Sequence, residues 1–293
     1  MSINVSVITP FYKGNKYMTA LYDSLCDNLS FAKSVNPDFE IEWIIVNDSP
    51  EEKVEIPKSK SDLKVSVYNH AKNCGIHQAR VTGLINSRGE FVIFLDQDDQ
   101  LAKECIIDTC LHIGDSDVLI ENAYLEDENG ALRLLYPTKG TIINALSIAP
   151  YIGSHNQIVS PGHCLVRKKS IPVEWKTKIL GLNGSDDLYL WMLMFGYKKK
   201  FSFLNKAYYT HKFTGSNLSD DGEKMGRSSL DFVDYLKETG RFSDYQLDCF
   251  IRSRNLHSLR GYDSIIQFIS EMFSNYDIIL MRVFWKLRAK LIK

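Results

Sequence analysis

The segment from Ile3 to Leu95 alternates between two hydrophobic periods, and that alternation narrows the possible folds more than any other feature of the chain. Ile3-Asn4-Val5-Ser6-Val7-Ile8 has the period of a strand and then meets Thr9-Pro10, which reads as a strand running into a loop. Residues 15–33 carry Met18, Leu21, Leu25 and Leu29 at helical spacing. Glu40–Val46 reads as a second strand, closed by the turn-forming cluster Asn47-Asp48-Ser49-Pro50. Leu63–Tyr68 reads as a third strand and residues 76–87 as a helix. Gly89 then precedes Glu90-Phe91-Val92-Ile93-Phe94-Leu95, an apolar run bounded by turn signals that suits a buried parallel strand. Strands and helices in this order predict an α/β fold with a doubly wound sheet, in which ligands bind at the carboxyl ends of strands. Polar residues gather at those ends: Thr9 and Tyr12, Asn47 and Asp48, and Asp96 to Asp99.

Beyond Leu95 the signals shorten. Short strands are expected near 117–126, 131–136 and 162–167 with loops between them, then a helix from Asp186 to Phe195 and strands near 200–204 and 206–210. After Gly215 strand signals fade, and the remainder reads as three or four helices. The expected division is therefore a catalytic α/β domain over 1–215 and a helical region over 216–293. A chain of 293 residues with 44% hydrophobic and 24% charged residues suits one large domain with a smaller appendage. Its net charge of −1 gives no overall attraction to nucleic acid, which is not expected as a partner.

Cys26, Cys74, Cys105, Cys110, Cys164 and Cys249 are scattered, with no zinc spacing and no paired arrangement, as for free thiols in a reducing compartment. The start of the sequence has no secretion-signal pattern, and no apolar run reaches the ~20 residues of a membrane span. The expected location is the cytoplasm, with any membrane contact made peripherally from the inner face of the plasma membrane.

Asp96, Asp98 and Asp99 stand together at the end of an apolar strand. Carboxylates so placed repel one another and are costly to desolvate, a cost that a hard divalent cation such as Mn²⁺ or Mg²⁺ removes. Asp96 and Asp98 are two apart and face the same way in extended backbone; the plainer alternative is a solvated acidic turn. Asp48 could accept a hydrogen bond from a base or ribose, or form an Asx turn. Asn73-Cys74-Gly75-Ile76-His77-Gln78-Ala79-Arg80 opens a helix, whose N-terminus and arginine fork attract anions. Asp186 and Asp187 begin another helix; capping explains one acid better than two, and a carboxylate there could act as a general base. His211 is either structural or a metal or phosphate contact. His155 and His163 flank Ser160-Pro161-Gly162, either in a structural loop or toward an acceptor.

Taken together these segments resemble a family 2 glycosyltransferase of the GT-A fold, a nucleotide-diphospho-sugar transferase. Val5-Ser6-Val7-Ile8-Thr9-Pro10-Phe11-Tyr12 is similar to the family's opening strand and its nucleotide-holding loop, and Ile44-Ile45-Val46-Asn47-Asp48-Ser49 to its second strand, whose acid contacts the base. Asn73, Gly75, Ala79 and Arg80 match its N-x-G-x-x-x-A-R stretch. Asp96-Gln97-Asp98-Asp99 fills the place of its metal and ribose site, and Asp186-Asp187 that of its Glu-Asp pair, whose second acid is the base. The resemblance covers residues 3 to 220. It implies inverting transfer from a nucleotide sugar, with uridine diphosphate the expected carrier, to a glycan or lipid-linked acceptor in bacterial surface polysaccharide synthesis. It further implies Asp187 as base, Asp98 as metal ligand with Asp96 and His211, and a nucleotide pocket of Thr9, Pro10, Tyr12, Asp48, Asn73, Arg80 and Asp96. Two departures are Asp186 in place of Glu and the lack of the Gln/Arg-x-x-Arg-Trp motif of processive synthases, which points to single addition.

Three other readings compete. A metal-dependent phosphohydrolase could use Asp96 and Asp98, but its motif belongs near the chain start with a threonine soon after. A nucleotidyltransferase needs a Gly-rich basic loop after the first strand, which Pro10-Phe11-Tyr12-Lys13-Gly14 is not. A sugar-binding protein with a dead site would not need every acid in place. Finally, on a helix over 278–293 Leu280, Phe284, Leu287 and Leu291 share one face, with Arg282, Lys286, Lys290 and Lys293 nearly opposite. Such a helix either lies on an anionic membrane surface or packs its leucine face on the catalytic domain or on a second copy of the chain.

Overall fold

The computed structural model describes residues 4–57, 61–212, 222–256 and 265–292. The expected strand start at Ile3, the boundary at 215–216 and Lys293 lie outside them. The strands are β1 (Asn4–Phe11), β2 (Glu40–Asn47), β3 (Lys64–Asn69), β4 (Phe91–Phe94), β5 (Gln100–Leu101), β6 (Val118–Glu126), β7 (Leu132–Leu134), β8 (Cys164–Arg167) and β9 (Phe201–His211). The helices are α1 (Asn15–Val35), α2 (Ile76–Asn86), α3 (Cys105–His112), α4 (Lys139–Ala145), α5 (Ile148–Gly153), α6 (Val173–Thr177), α7 (Asp186–Gly196), α8 (Gly222–Leu230), α9 (Val233–Glu238), α10 (Asp244–Asn255), α11 (Ile265–Ser274) and α12 (Tyr276–Leu291).

The chain sorts into two compact units whose limits are not the sequential ones expected: 1–135, 160–179 and 198–217 form one, and 136–159, 180–197 and 218–293 the other. The stretch 136–159 and helix α7 carry apolar surface that is buried against the C-terminal helices, so they leave the sheet's unit.

Among the described residues of the first unit, one sheet has the order β3-β2-β1-β4-β8-β6-β9-β5, with β7 on β6. The first four strands in this order are parallel, and β4 is buried at all four positions, as suits a parallel strand covered on both faces. β8 is antiparallel to both β4 and β6, and β9 is parallel to β6. Alternation in β1 sends Val5, Val7 and Phe11 into the core shared with Met18, Leu21 and Leu25 of α1 and with Ile106 of α3. The expected strands at 200–204 and 206–210 are a single strand, β9. A register shift opposite Glu121 and Asn122 leaves Asn205 and Lys206 exposed, and this mimics a turn in the sequence. The two-residue β5 and the helix α3 carried no separate signal.

In the second unit α7 is buried from Asp186 to Met194, as an all-round apolar helix should be. Tyr189 stacks on Phe232 with ring centres 5.1 Å apart, and Phe232 meets Phe250 at 5.5 Å. Loops expected over much of 136–159 are the helices α4 and α5, and five helices follow residue 221 among the described residues, against the three or four expected. The C-terminal helix does not dock by its leucine face. Trp285 and Ile278 are buried, Arg282 donates to the carbonyls of Gly153 at 3.1 Å and Ser253 at 2.7 Å, and Arg288 donates to Asn144 at 2.8 Å. The last carbonyls of α12 meet the start of α4: Thr138 Oγ1 donates to Ala289 O at 2.6 Å and Gly140 N to Ile292 O at 3.0 Å. A Cβ at Gly140 would stand 2.0 Å from Arg288 O, so only glycine permits this joint.

Candidate active site

The end of β1 is tied to the end of β4. Gln97, directly after the first acid of the Asp96–Asp99 segment, accepts from Tyr12 N through Oε1 at 3.0 Å and donates to Tyr12 O through Nε2 at 3.0 Å. Tyr12 is thereby fixed by its backbone while its ring stays half exposed. Pro10 is half-buried beside it. Thr9 is fully buried, and its hydroxyl accepts from Trp43 Nε1 at 2.9 Å. Its side chain therefore anchors β1 to β2, and it offers a ligand its backbone alone.

Asp48, at the end of β2, organises the loop before α2. Its Oδ1 accepts from Cys74 N and His70 Nδ1, each at 2.7 Å, and its Oδ2 from Gly75 N at 2.8 Å. Asn73 Oδ1 also accepts from Gly75 N, at 3.1 Å. Gly75 has φ +87°, where a side chain would be strained, and that conformation aims both amides at Asp48. His70 Nε2 lies 2.9 Å from Thr82 Oγ1, which fixes the ring from its other side. A carboxylate has room for about four acceptances, so Asp48 retains one after these three.

Helix α2 presents Arg80, which is buried and donates from Nη2 to Asp96 Oδ1 at 2.6 Å. Asp98 is mostly enclosed; burial, then the charges of Asp99 and Asp96, push its carboxyl up to about 6. Asp99 is buried. Its Oδ2 accepts from the Tyr209 hydroxyl, and its Oδ1 from His211 Nδ1 at 3.2 Å and Lys212 N at 3.3 Å. Burial disfavours a charged imidazole at His211, but the bond to Asp99 and the charges of Asp99, Asp96 and Asp98 outweigh it and raise its pKa. His163, buried and 5.5 Å from the Tyr209 ring centre, is pushed down to about 3 by burial and by His211, so it is neutral at physiological pH. That leaves it to pack on Tyr209 inside the structural loop.

The expected metal trio is not fully gathered. Asp96 leans to Arg80 and His211 to Asp99, and among the described residues the one trio whose ligand atoms lie within 4.8 Å of one another is Asp48, His70 and Cys74. Asp48 and His70 are already bonded to each other, Asp48 also to the loop's amides, and the Cys74 thiol donates to the Lys72 carbonyl at 3.3 Å. Gln97, His70 and Tyr209 are site residues that the sequence did not single out; Gln97 stood within the acidic motif with no role of its own.

In the second unit Asp186 and Asp187 open α7, both buried. Asp187 Oδ1 accepts from Leu188 N at 2.7 Å and Oδ2 from Asn156 Nδ2 at 2.7 Å. Asn156 Oδ1 in turn accepts from Ile158 N at 3.2 Å, which turns its amide N–H toward Asp187. Asn156 had no signal in the sequence.

A mixed sheet with parallel strands β3-β2-β1-β4, acids at the carboxyl end of β4 and a helical region after it defines a GT-A nucleotide-diphospho-sugar transferase fold. The model of the family described as "Glycosyl transferase family 2" matches residues 6–172, more than half of the chain, and the chain belongs to that family. It is 36% identical over 121 residues to the poly(ribitol-phosphate) beta-N-acetylglucosaminyltransferase TarS of Staphylococcus aureus, a match over 39% of this chain and 20% of TarS. It is 30% identical over 144 residues to the glycosyltransferase GlyG of Streptococcus pneumoniae, over 47% of this chain and 45% of GlyG. The chain thus matches less than half the length of either relative. Its fold is similar to residues 1–349 of Staphylococcus aureus TarS in complex with UDP-GlcNAc, with TM-score 0.61 and 21% identity over 95% of this chain and 81% of that one. It is also similar to the mannosyltransferase PcManGT of Pyrobaculum calidifontis in complex with GDP-Man and Mn²⁺, with TM-score 0.53 and 12% identity over 100% of this chain and 86% of that one. The matched family segment includes Asp96 to Asp99, which removes the ground for the phosphohydrolase and nucleotidyltransferase readings. No helix among the described residues is long and apolar enough to cross a membrane.

Proposed function

We propose that this chain is an inverting, metal-dependent glycosyltransferase that moves a sugar from a UDP-sugar to a glycan or lipid-linked acceptor in bacterial surface polysaccharide synthesis. The observation that carries this is the acidic end of β4, where Asp98 is held near pKa 6 by burial and by Asp99 and Asp96. A carboxyl so destabilised in its charged form suits a hard divalent cation, which Asp98 with Asp96 and His211 would hold. When bound, Mn²⁺ or Mg²⁺ neutralises charge on the departing nucleoside diphosphate. The complexes of TarS with UDP-GlcNAc and of PcManGT with Mn²⁺ support the donor and the metal.

The chain's own residues do the rest. Asp48 has one acceptor position left after His70, Cys74 N and Gly75 N, enough for a base N–H. The backbone around Thr9 and Pro10, the exposed ring of Tyr12, and Asn73 complete the nucleotide's surroundings. Arg80 holds Asp96 in place for the ribose and metal side. Asp187 takes the proton from the acceptor hydroxyl as it attacks the anomeric carbon, with Asn156 fixing its orientation.

The test is release of nucleoside diphosphate from a panel of nucleotide sugars by the purified protein with Mn²⁺. Turnover of UDP-sugars that stops in excess chelator is the expected result. Binding of guanosine or thymidine donors alone would overturn the uridine assignment. Phosphate release from simple phosphate esters, without nucleotide-sugar turnover, would overturn the transferase reading.

A further inference from the structure

Helix α12 is docked by the wrong face for a buried amphipathic helix. Trp285 and Ile278 enter its own unit and Arg282 reaches the carbonyls of Gly153 and Ser253, so the leucine face is left outward. Leu280 is 62% exposed, Phe284 58%, Leu287 50% and Leu291 75%, and just before them Phe273 is 77% exposed. At 100° per residue these four α12 positions fall within one stripe about 60° wide, whose centre lies about 130° round from Trp285. Lys290 and Lys286, both exposed, lie about 90° and 130° round from its centre on one side, and Arg288, about 70° away on the other, is held by Asn144. The one acid of the helix, Asp277, is neutralised by a two-pronged contact with Arg252, both bonds 2.8 Å.

We infer that this stripe, with its flanking cations, is a docking surface for an anionic membrane face, on which α12 lies in the interfacial plane. Two observations favour a lipid surface over a second copy of the chain. From Ile278 to Ile292 the helix has no acid, so pairing two such stripes sets cation against cation in any register. Lys286 and Lys290, exposed on one side of the apolar stripe, can lay their stems against a bilayer surface and reach lipid headgroups. The inference is independent of the transfer reaction, because it needs neither donor nor turnover.

Flotation of the full chain with phosphatidylcholine vesicles, with and without phosphatidylglycerol, tests it. Binding is expected on the anionic vesicles and is expected to weaken with salt. Phe284→Asp and Leu287→Asp remove exposed side chains, so the fold should stand, and each should cut the partition coefficient by at least about tenfold. Lys286→Gln and Lys290→Gln should each cost about fivefold on anionic vesicles and nothing on neutral ones. Equal flotation of wild type and Phe284→Asp overturns the inference. So does a wild-type dimer, seen by sedimentation, that Phe284→Asp dissociates while neither protein floats.

Discussion

Gln97 and Tyr12 are joined by a pair of 3.0 Å hydrogen bonds in which the Gln97 amide satisfies both backbone groups of Tyr12. The middle residue of the acidic motif thus fastens the loop after β1 to the loop after β4, across 85 positions of sequence.

Removing that fastening should loosen one wall of the nucleotide pocket without touching the core. Gln97→Ala is expected to raise the donor KM by roughly tenfold, the worth of one to two net hydrogen bonds. Thermal stability should change little, and steady-state kinetics beside a melting curve checks both.

The Asp98 carboxyl gives a pH signature with a definite sign. Its pKa rises from 3.8 to about 6 on folding, so its contribution to stability is complete below 3.8 and is lost as pH rises through about 6. Asp98→Asn should therefore stabilise the metal-free protein at pH 8, by at most about 3 kcal/mol, and should make no difference at pH 3.5. In the wild type, Mn²⁺ should raise the melting temperature more at pH 7.5 than at pH 5, where protons compete for Asp98. A metal effect independent of pH would contradict both.

Asp187→Asn keeps the shape of the side chain and removes its basicity. Turnover is expected to fall by about 10³-fold, within the usual range for a lost general base. Donor affinity, measured by calorimetry, should be unchanged. Wild-type turnover would move the base role to Asp186.

Arg252 and Asp277 predict an acid-sensitive joint between α10 and α12. The hydrogen bonds from Arg252 hold the Asp277 carboxyl down at about 2, against the usual 3.8. The stability it confers is present above 3.8 and disappears as pH falls toward 2. Asp277→Asn should cost about 1 kcal/mol at pH 7, allowing for solvent screening of a partly exposed pair. The difference from wild type in urea unfolding should close between pH 4 and pH 2.

The parallel half of the sheet was legible because a strand covered on both faces must be apolar throughout, as Phe91 to Phe94 are. The carboxyl ends of those strands followed, and with them Asp48, Arg80, Asp96 and Asp98. Other features left no such trace. β9 was read as two strands because a bulge at Asn205 and Lys206 resembles a turn. For α12 the sequence left the leucine face open between a membrane surface and protein packing; a tryptophan and two arginines bonded to backbone carbonyls and to Asn144 decide its docking, and periodicity cannot weigh those bonds. His70, Gln97 and Asn156 act through hydrogen bonds to residues far away in sequence or to turns, and no spacing rule records them.

The burial of α7 on all sides also sets an order of events during synthesis. Tyr189 leaves the ribosome a few seconds before Phe232 and Phe250, at ~5–20 residues per second. During that interval the apolar helix has Tyr151 to set against its Phe195, but the ring that will stack on Tyr189 is not yet made. The sheet's last long strand, β9, is translated within the same interval, so the nascent chain can close its α/β unit while α7 still waits. Slowing translation between residues 197 and 232 would lengthen the time that α7 spends uncovered, and this is the window in which a holding chaperone would matter most for yield.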